Sequence, residues 1–152
     1  MNCIMCDEFK KAENNPFLVY KLETGIVEMA WYQRFKGTAL FICSKHVTEL
    51  YQLPHDFMMK YLEEMALISE AVSKAFNSDK MNYELLSNGV PHLHWHLIPR
   101  HDGDSPQKGP IWWVPREEMY SDAVKPTEAE LNEMVNKLRH ELTIIVNKPE
   151  SI

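Results

Sequence analysis

Three of the seven histidines in this chain stand at every second position of the run Pro91-His92-Leu93-His94-Trp95-His96-Leu97-Ile98-Pro99-Arg100. Side chains alternate faces along a β-strand, so the spacing puts the three imidazoles on one face and Leu93, Trp95 and Leu97 on the other. On a helix the same residues would spread over about 200° of arc. Pro91 can begin such a strand and Pro99 can end its ladder, since proline donates no backbone N–H. An imidazole row is open to three readings. It can be a solvated polar face, a metal site in which two or three imidazoles bind zinc, or a site of covalent catalysis at phosphorus. In the last, a neutral ring nitrogen attacks while protonated neighbours stabilise the phosphoryl oxygens and supply a proton to the leaving group. Cys3 and Cys6 form a second constellation, whose spacing fits redox chemistry, half of a zinc site or free thiols.

The elements that must position these residues are readable from pattern. Residues 17–22, 26–31 and 38–43 are rich in β-branched and aromatic types, with Gly25 and Gly37 as turns, and the short gaps favour an antiparallel meander. Residues 54–77 carry apolar side chains at spacings of three and four, among them Phe57, Tyr61, Met65, Ile68, Val72 and Phe76, which predicts a long helix covering the sheet. Residues 82–87 then form a strand that pairs with the histidine strand through a tight Asn88-Gly89 turn. Thr127-Glu128-Ala129-Glu130 reads as a capping box opening a final helix with Leu131, Met134, Val135, Leu138, Leu142 and Ile145 on its apolar face. Between them, residues 101–125 are too long for a simple connector. Their cluster Ile111-Trp112-Trp113-Val114 reads as satellite packing ahead of a lid, a dimer contact or a ligand contact. Cys43 reads as an ordinary buried strand residue, and His55, His101 and His140 as surface residues.

At 152 residues the chain fits a single domain, 1–152, with the Cys-x-x-Cys segment in 1–12 and a C-terminal loop and helix in 102–152. Lys plus Arg number 16 against 22 Asp plus Glu, a net charge of −6, which argues against a non-specific nucleic-acid binder or a membrane protein held by basic charge. No apolar stretch is long enough for a membrane span and the N-terminus lacks a secretory signal, so a cytoplasmic protein is expected. Three cysteines, an odd number, are unlike a disulfide framework.

The segment His92-Leu93-His94-Trp95-His96-Leu97-Ile98 resembles the signature of the histidine triad (HIT) superfamily, in which three histidines alternate with apolar residues. A second block, Gly37-Thr38-Ala39-Leu40-Phe41-Ile42-Cys43-Ser44-Lys45-His46-Val47-Thr48-Glu49-Leu50, is similar to the family's glycine, apolar strand and basic-histidine stretch. The likeness extends over about residues 1–101 and is nearest to the bacterial branch resembling diadenosine polyphosphate hydrolases. It implies an α+β fold, an antiparallel sheet of about five strands with two main helices, and a homodimer. It implies hydrolysis or transfer at dinucleoside polyphosphates or nucleoside phosphoramidates, adenosine-containing ones foremost, through a covalent nucleotidyl-histidine. His94 takes the place of the nucleophile, His96 of the contact to the scissile phosphate, and His92 of a residue that orients the nucleophile or serves as a ligand. Asn88 stands where the family usually has a glutamine near the phosphate, one methylene longer. Gly89 is a turn residue or a backbone donor to phosphate, and Arg100 a source of positive charge or a surface ion pair. The resemblance further implies a structural zinc on Cys3, Cys6, His46 and His92, a set with no open position, and no catalytic metal. The nucleobase would lie in an apolar cleft to which Ile4, Phe9, Phe17 or Trp31 contribute. A metal-dependent hydrolase and a nucleotide-binding module with weak catalysis are the alternatives.

Overall fold

The computed structural model of the protein describes residues 2–148. A short helix α1 (Ile4–Lys11) leads into β1 (Leu18–Lys21), β2 (Gly25–Met29) and β3 (Ala39–Cys43), then the long helix α2 (His55–Phe76), β4 (Lys80–Glu84) and β5 (His94–Arg100). After β5 come a one-turn helix α3 (Arg116–Met119) and the terminal helix α4 (Glu128–Val146). The five strands form one antiparallel sheet in the order β1-β2-β3-β5-β4.

Strand alternation gives the sheet two unlike faces. Val27, Met29, Phe41, Cys43 and Leu97 point into the main core, where Tyr61, Ile68 and Val72 of α2 and Leu138 and Leu142 of α4 close over them. The other face carries Glu28, Leu40, His94, His96 and Ile98, fixed by the register Glu28↔Leu40↔His96. At the far end of β5 that face has a satellite core of Phe35, Ile98 and Val114, with Ile111 and Met119 against it. The helical periodicity is matched closely. All six apolar residues read onto the final helix are buried, and Thr127 and Glu130 form the capping box. Buried Glu64 of α2 accepts hydrogen bonds from the backbone N–H groups of Glu23 and Thr24, both at 3.0 Å, and from the Thr24 hydroxyl. It thereby ties the helix to the β1–β2 turn.

Four expectations need correction. β4 ends at Glu84 and β5 begins at His94, so residues 85–93 form a long loop and not a two-residue hairpin. Gly89 has no positive φ there. His92 precedes the strand: its N–H goes to Val90 O, and Leu93 bonds both Val47 O and Cys43 N. Gly25 opens β2 opposite Cys43, where a Cβ would lie 2.2 Å from Ile42 O; Gly37, at φ 99°, is the true turn glycine. Trp112 and Trp113 are 69% and 61% exposed, so the satellite core is built by their neighbours Ile111 and Val114. The helix α1 had no counterpart in the sequence reading. Among the described residues no helix is long and apolar enough to cross a membrane.

Candidate active site and metal centre

Cys3 lies just ahead of α1 and Cys6 in its first turn, so the three-residue spacing turns both thiols to one side. Opposite them stand His46, after β3, and His92, before β5. The four donor atoms lie within 4.8 Å of one another. His46 Nδ1 is 3.2 Å from His92 Nδ1; Cys6 Sγ is 3.3 Å from His46 Nδ1 and 3.6 Å from His92 Nδ1; Cys3 Sγ is 3.5 Å from His92 Nδ1. Tetrahedral zinc with ordinary bond lengths needs donor separations of about 3.3–3.8 Å, so the quartet fits such an ion. The His92 tautomer fits as well. Its Nε2–H donates to Cys43 O at 2.7 Å, which leaves Nδ1 as a lone pair facing the thiols. Burial, and next the bond and charge of Cys3, push the Cys6 thiol up, so a cation would have to draw its proton off. The four residues named by resemblance therefore converge, and they can hold a metal ion.

His92 turns away from the other two histidines, and the three rings do not converge on a common point. His94 and His96 remain together on β5, ring centres 5.0 Å apart. His94 Nδ1 lies 2.6 Å from His92 O, with Ser87 Oγ further off at 3.4 Å. A carbonyl can only accept, so Nδ1 carries the proton and Nε2 is the free lone pair. Burial holds His94 below the usual imidazole range. Burial, then the charge of His94, takes His96 down to about 4. Both shifts favour the neutral imidazole in the free protein. His96 Nδ1 is buried with no hydrogen-bond partner among the described residues, a group whose desolvation costs about 1–3 kcal/mol until something pairs with it.

Both histidines line a cavity of about 500 Å³, shared with Ile4, Met5, Glu28, Trp31, Tyr32, Phe35, Leu40, Asn88 and Gly89. That volume suits a small-molecule ligand. Of the residues named for an apolar cleft, Ile4 and Trp31 line it; Phe17 instead packs against Trp31, ring centres 6.2 Å apart, and Phe9 is not among the lining residues. Arg100 is elsewhere. It lines a second cavity of about 720 Å³ and is committed to Asp104 through Nε at 2.7 Å and Nη2 at 2.8 Å. Asn82 Oδ1 and Gly109 O take Nη1 at 3.0 and 2.9 Å, and Phe35 stacks beneath the guanidinium at 4.4 Å. The pairing holds the Asp104 carboxyl well below the carboxylate range, at about 2. Arg100 is thus a buried structural ion pair, neither the phosphate contact nor the surface pair read from sequence.

Of the pocket residues that the sequence pattern does not single out, Glu28 is the charged one buried in a strand. Glu28 is 2% exposed in a strand whose five residues are all buried. The signal was a charge inside the apolar run Ile26-Val27-Glu28-Met29-Ala30, where a purely structural strand has no use for one.

Comparison with known proteins finds one family throughout. The model of the HIT domain matches residues 11–103. An uncharacterized HIT-like protein of Methanocaldococcus jannaschii is 26% identical over 106 residues, 67% of this chain and 81% of its own. A histidine triad protein from Marinobacter aquaeolei superposes with a TM-score of 0.72 at 26% identity, covering 84% of this chain and 89% of that one. A zinc-bound histidine triad family protein from Mycobacterium smegmatis shares the fold with a TM-score of 0.70 at 18% identity over 96% of each chain.

Proposed function

The chain belongs to the HIT family, whose members bind nucleotides, and from that premise we propose that it is a cytoplasmic nucleotide hydrolase or transferase working through a covalent nucleotidyl-His94. Its substrates are dinucleoside polyphosphates or nucleoside phosphoramidates, adenosine-containing ones foremost. The observation that carries this reading is the hydrogen bond from His94 Nδ1 to His92 O, which leaves Nε2 unprotonated on a ring that lines the cavity. Nε2 attacks the α-phosphorus, the P–N bond forms, and the bond to the leaving group breaks with its electron pair going to that group. Water then attacks phosphorus and releases a proton to the solvent, the P–N electron pair returns to His94 Nε2, and nucleoside monophosphate departs. The unpaired His96 ring nitrogen is the group available to a phosphoryl oxygen, and Asn88 and Gly89 close the loop side of the same cavity.

Cys3, Cys6, His46 and His92 would hold a structural zinc, four protein donors that would leave no position open for substrate, and their convergence would fix the peptide between His92 and His94 that orients the nucleophile. The chemistry itself is carried by imidazole. The exposed aromatics around the β4 edge support a homodimer.

Diadenosine tetraphosphate and an adenosine phosphoramidate, incubated with the protein and with His94→Ala, test the reading. Expected are chelator-resistant turnover and a trapped nucleotidyl adduct by mass spectrometry, both absent in the variant. Nucleotide binding without turnover or adduct would reduce the protein to a binding module. Turnover abolished at once by a chelator and restored by added metal would favour a metal-dependent hydrolase.

A further inference from the structure

Glu28, Leu40 and His96 occupy one row across the sheet, on adjacent strands and one face. Strands are about 4.8 Å apart, so Glu28 stands roughly 10 Å from His96, with Leu40 as the floor between them. This is the span of a nucleoside whose phosphorus lies at the histidines and whose base reaches the far wall. The rings of Trp31 and Tyr32 line the same cavity, as a flat heterocycle requires. The electrostatics there are lopsided. Asn15 Nδ2 donates to Glu28 Oε1 at 2.8 Å and to Glu8 Oε2 at 2.9 Å. Neither carboxyl has an ion-pair partner among the described residues. The wall therefore presents carboxylate oxygens without a cationic partner, and the Glu28 side chain makes one hydrogen bond among the described residues, through Oε1.

We propose that Glu28 reads the nucleobase, its carboxyl accepting a hydrogen bond from the exocyclic amino group of adenine and so setting a preference for adenine nucleotides over their 6-keto counterparts. The proposal rests on the nucleotide reading of the cavity given above. A 6-keto base puts a carbonyl oxygen against the carboxyl, and the contact becomes acceptor against acceptor. Burial, then the charge of Glu8, raise the Glu28 carboxyl to about 7, against the lowering effect of Asn15; the discrimination belongs to the carboxylate form, since a protonated carboxyl can donate to a 6-keto oxygen, and binding is therefore compared at pH 8.

The test is calorimetric binding of AMP, IMP and ribose 5-phosphate to the metal-loaded protein and to Glu28→Gln. The variant keeps an acceptor for Asn15 and adds an N–H₂ donor. The wild type is expected to bind AMP about tenfold or more tightly than IMP, the worth of one buried hydrogen bond. The variant is expected to narrow or reverse that ratio with ribose 5-phosphate affinity unchanged. Equal affinity of the wild type for AMP and IMP would overturn the proposal whether or not the variant folds. So would an equal loss of both nucleotides in the variant, which would give Glu28 a ribose or purely structural role. In both cases the nucleotide reading stands. Failure of all three ligands to bind the wild type would overturn the nucleotide reading itself and this inference with it.

Discussion

His92 and His94, two residues apart, are given opposite tasks by two carbonyls. Cys43 O takes the Nε2 proton of His92 and leaves Nδ1 for the thiols; His92 O takes the Nδ1 proton of His94 and leaves Nε2 for the cavity. His94→Ala is therefore expected to lower kcat by about 10³-fold or more with the thermal midpoint and metal content little changed, since it removes the nucleophile alone. His92→Ala should lose the metal first, which metal analysis of the two purified variants separates. Glu28 gives a prediction in pH. Its folded value of about 7 lies above the ordinary 4.5, so between those values the folded protein holds a proton that the unfolded chain has released. Its contribution is intact below about 4.5 and is lost as pH rises through 7. The charged group facing it is Glu8, through the shared Asn15 amide, and that repulsion grows in the same direction. Urea titrations at pH 5 and pH 8 should show Glu28→Gln gaining about 2–3 kcal/mol on the wild type at the higher pH. Parallel pH dependences in the two proteins would remove the buried charge as the cause. At this scale alternation correctly puts His94 and His96 on one face, but His92 precedes the strand; the metal quartet is legible only through the family resemblance, because the Cys-x-x-Cys spacing alone leaves redox chemistry and free thiols open. Arg100 was misplaced because its partner Asp104 is set by the turn that follows β5, which no residue type announces.

Helix α1 shows why an element can be missed though its ligands are found. It has eight residues and none is buried, so no apolar stripe marks it, and a helix of that length is marginal alone. Cys3 and Cys6 connect it to His46 and His92, while Ile4, Met5 and Glu8 form a wall of the cavity. Cys6→Ser should therefore abolish stoichiometric metal and lower stability by about 3 kcal/mol, roughly 5–10 °C in Tm. It should also raise KM more than it lowers kcat, because the wall loosens while His94 keeps its bond to His92 O. A variant that retains metal and midpoint would show that the quartet is not a metal centre. Glu64 plays the corresponding part between α2 and the β1–β2 turn. Glu64→Ala leaves the N–H groups of Glu23 and Thr24 and the Thr24 hydroxyl without their acceptor, at an expected cost of about 3 kcal/mol in chemical denaturation. The long helices were legible because their period is set by a continuous buried face. The hairpin was not, because an Asn-Gly pair marks a tight turn only where both strands reach it. Here Leu93 is bonded to Val47 and Cys43, which holds the start of β5 back to His94.

For the whole molecule, the packing of α2 and α4 on one face of the sheet leaves the histidine face to loops, α1 and the satellite core, and places β4 at a sheet edge. That two-faced layout was readable, since strands with one apolar face and two amphipathic helices have few other ways to bury themselves. The surface around the edge was not, because an exposed tryptophan and a buried one are the same letter. Tyr83 on β4 is 48% exposed, Leu86 just beyond it 54%, and Trp112 69%, the last held over the strand by its indole N–H to Glu84 at 2.8 Å. An unpaired edge flanked by exposed aromatics is the part of a sheet most prone to meet another chain. Sedimentation equilibrium of the wild type is expected to give twice the chain mass of 17.8 kDa. A Tyr83→Glu, Trp112→Glu double variant should sediment as a monomer, since each charge would be buried in the contact. A wild type that stays at one chain mass across the micromolar range would remove the homodimer.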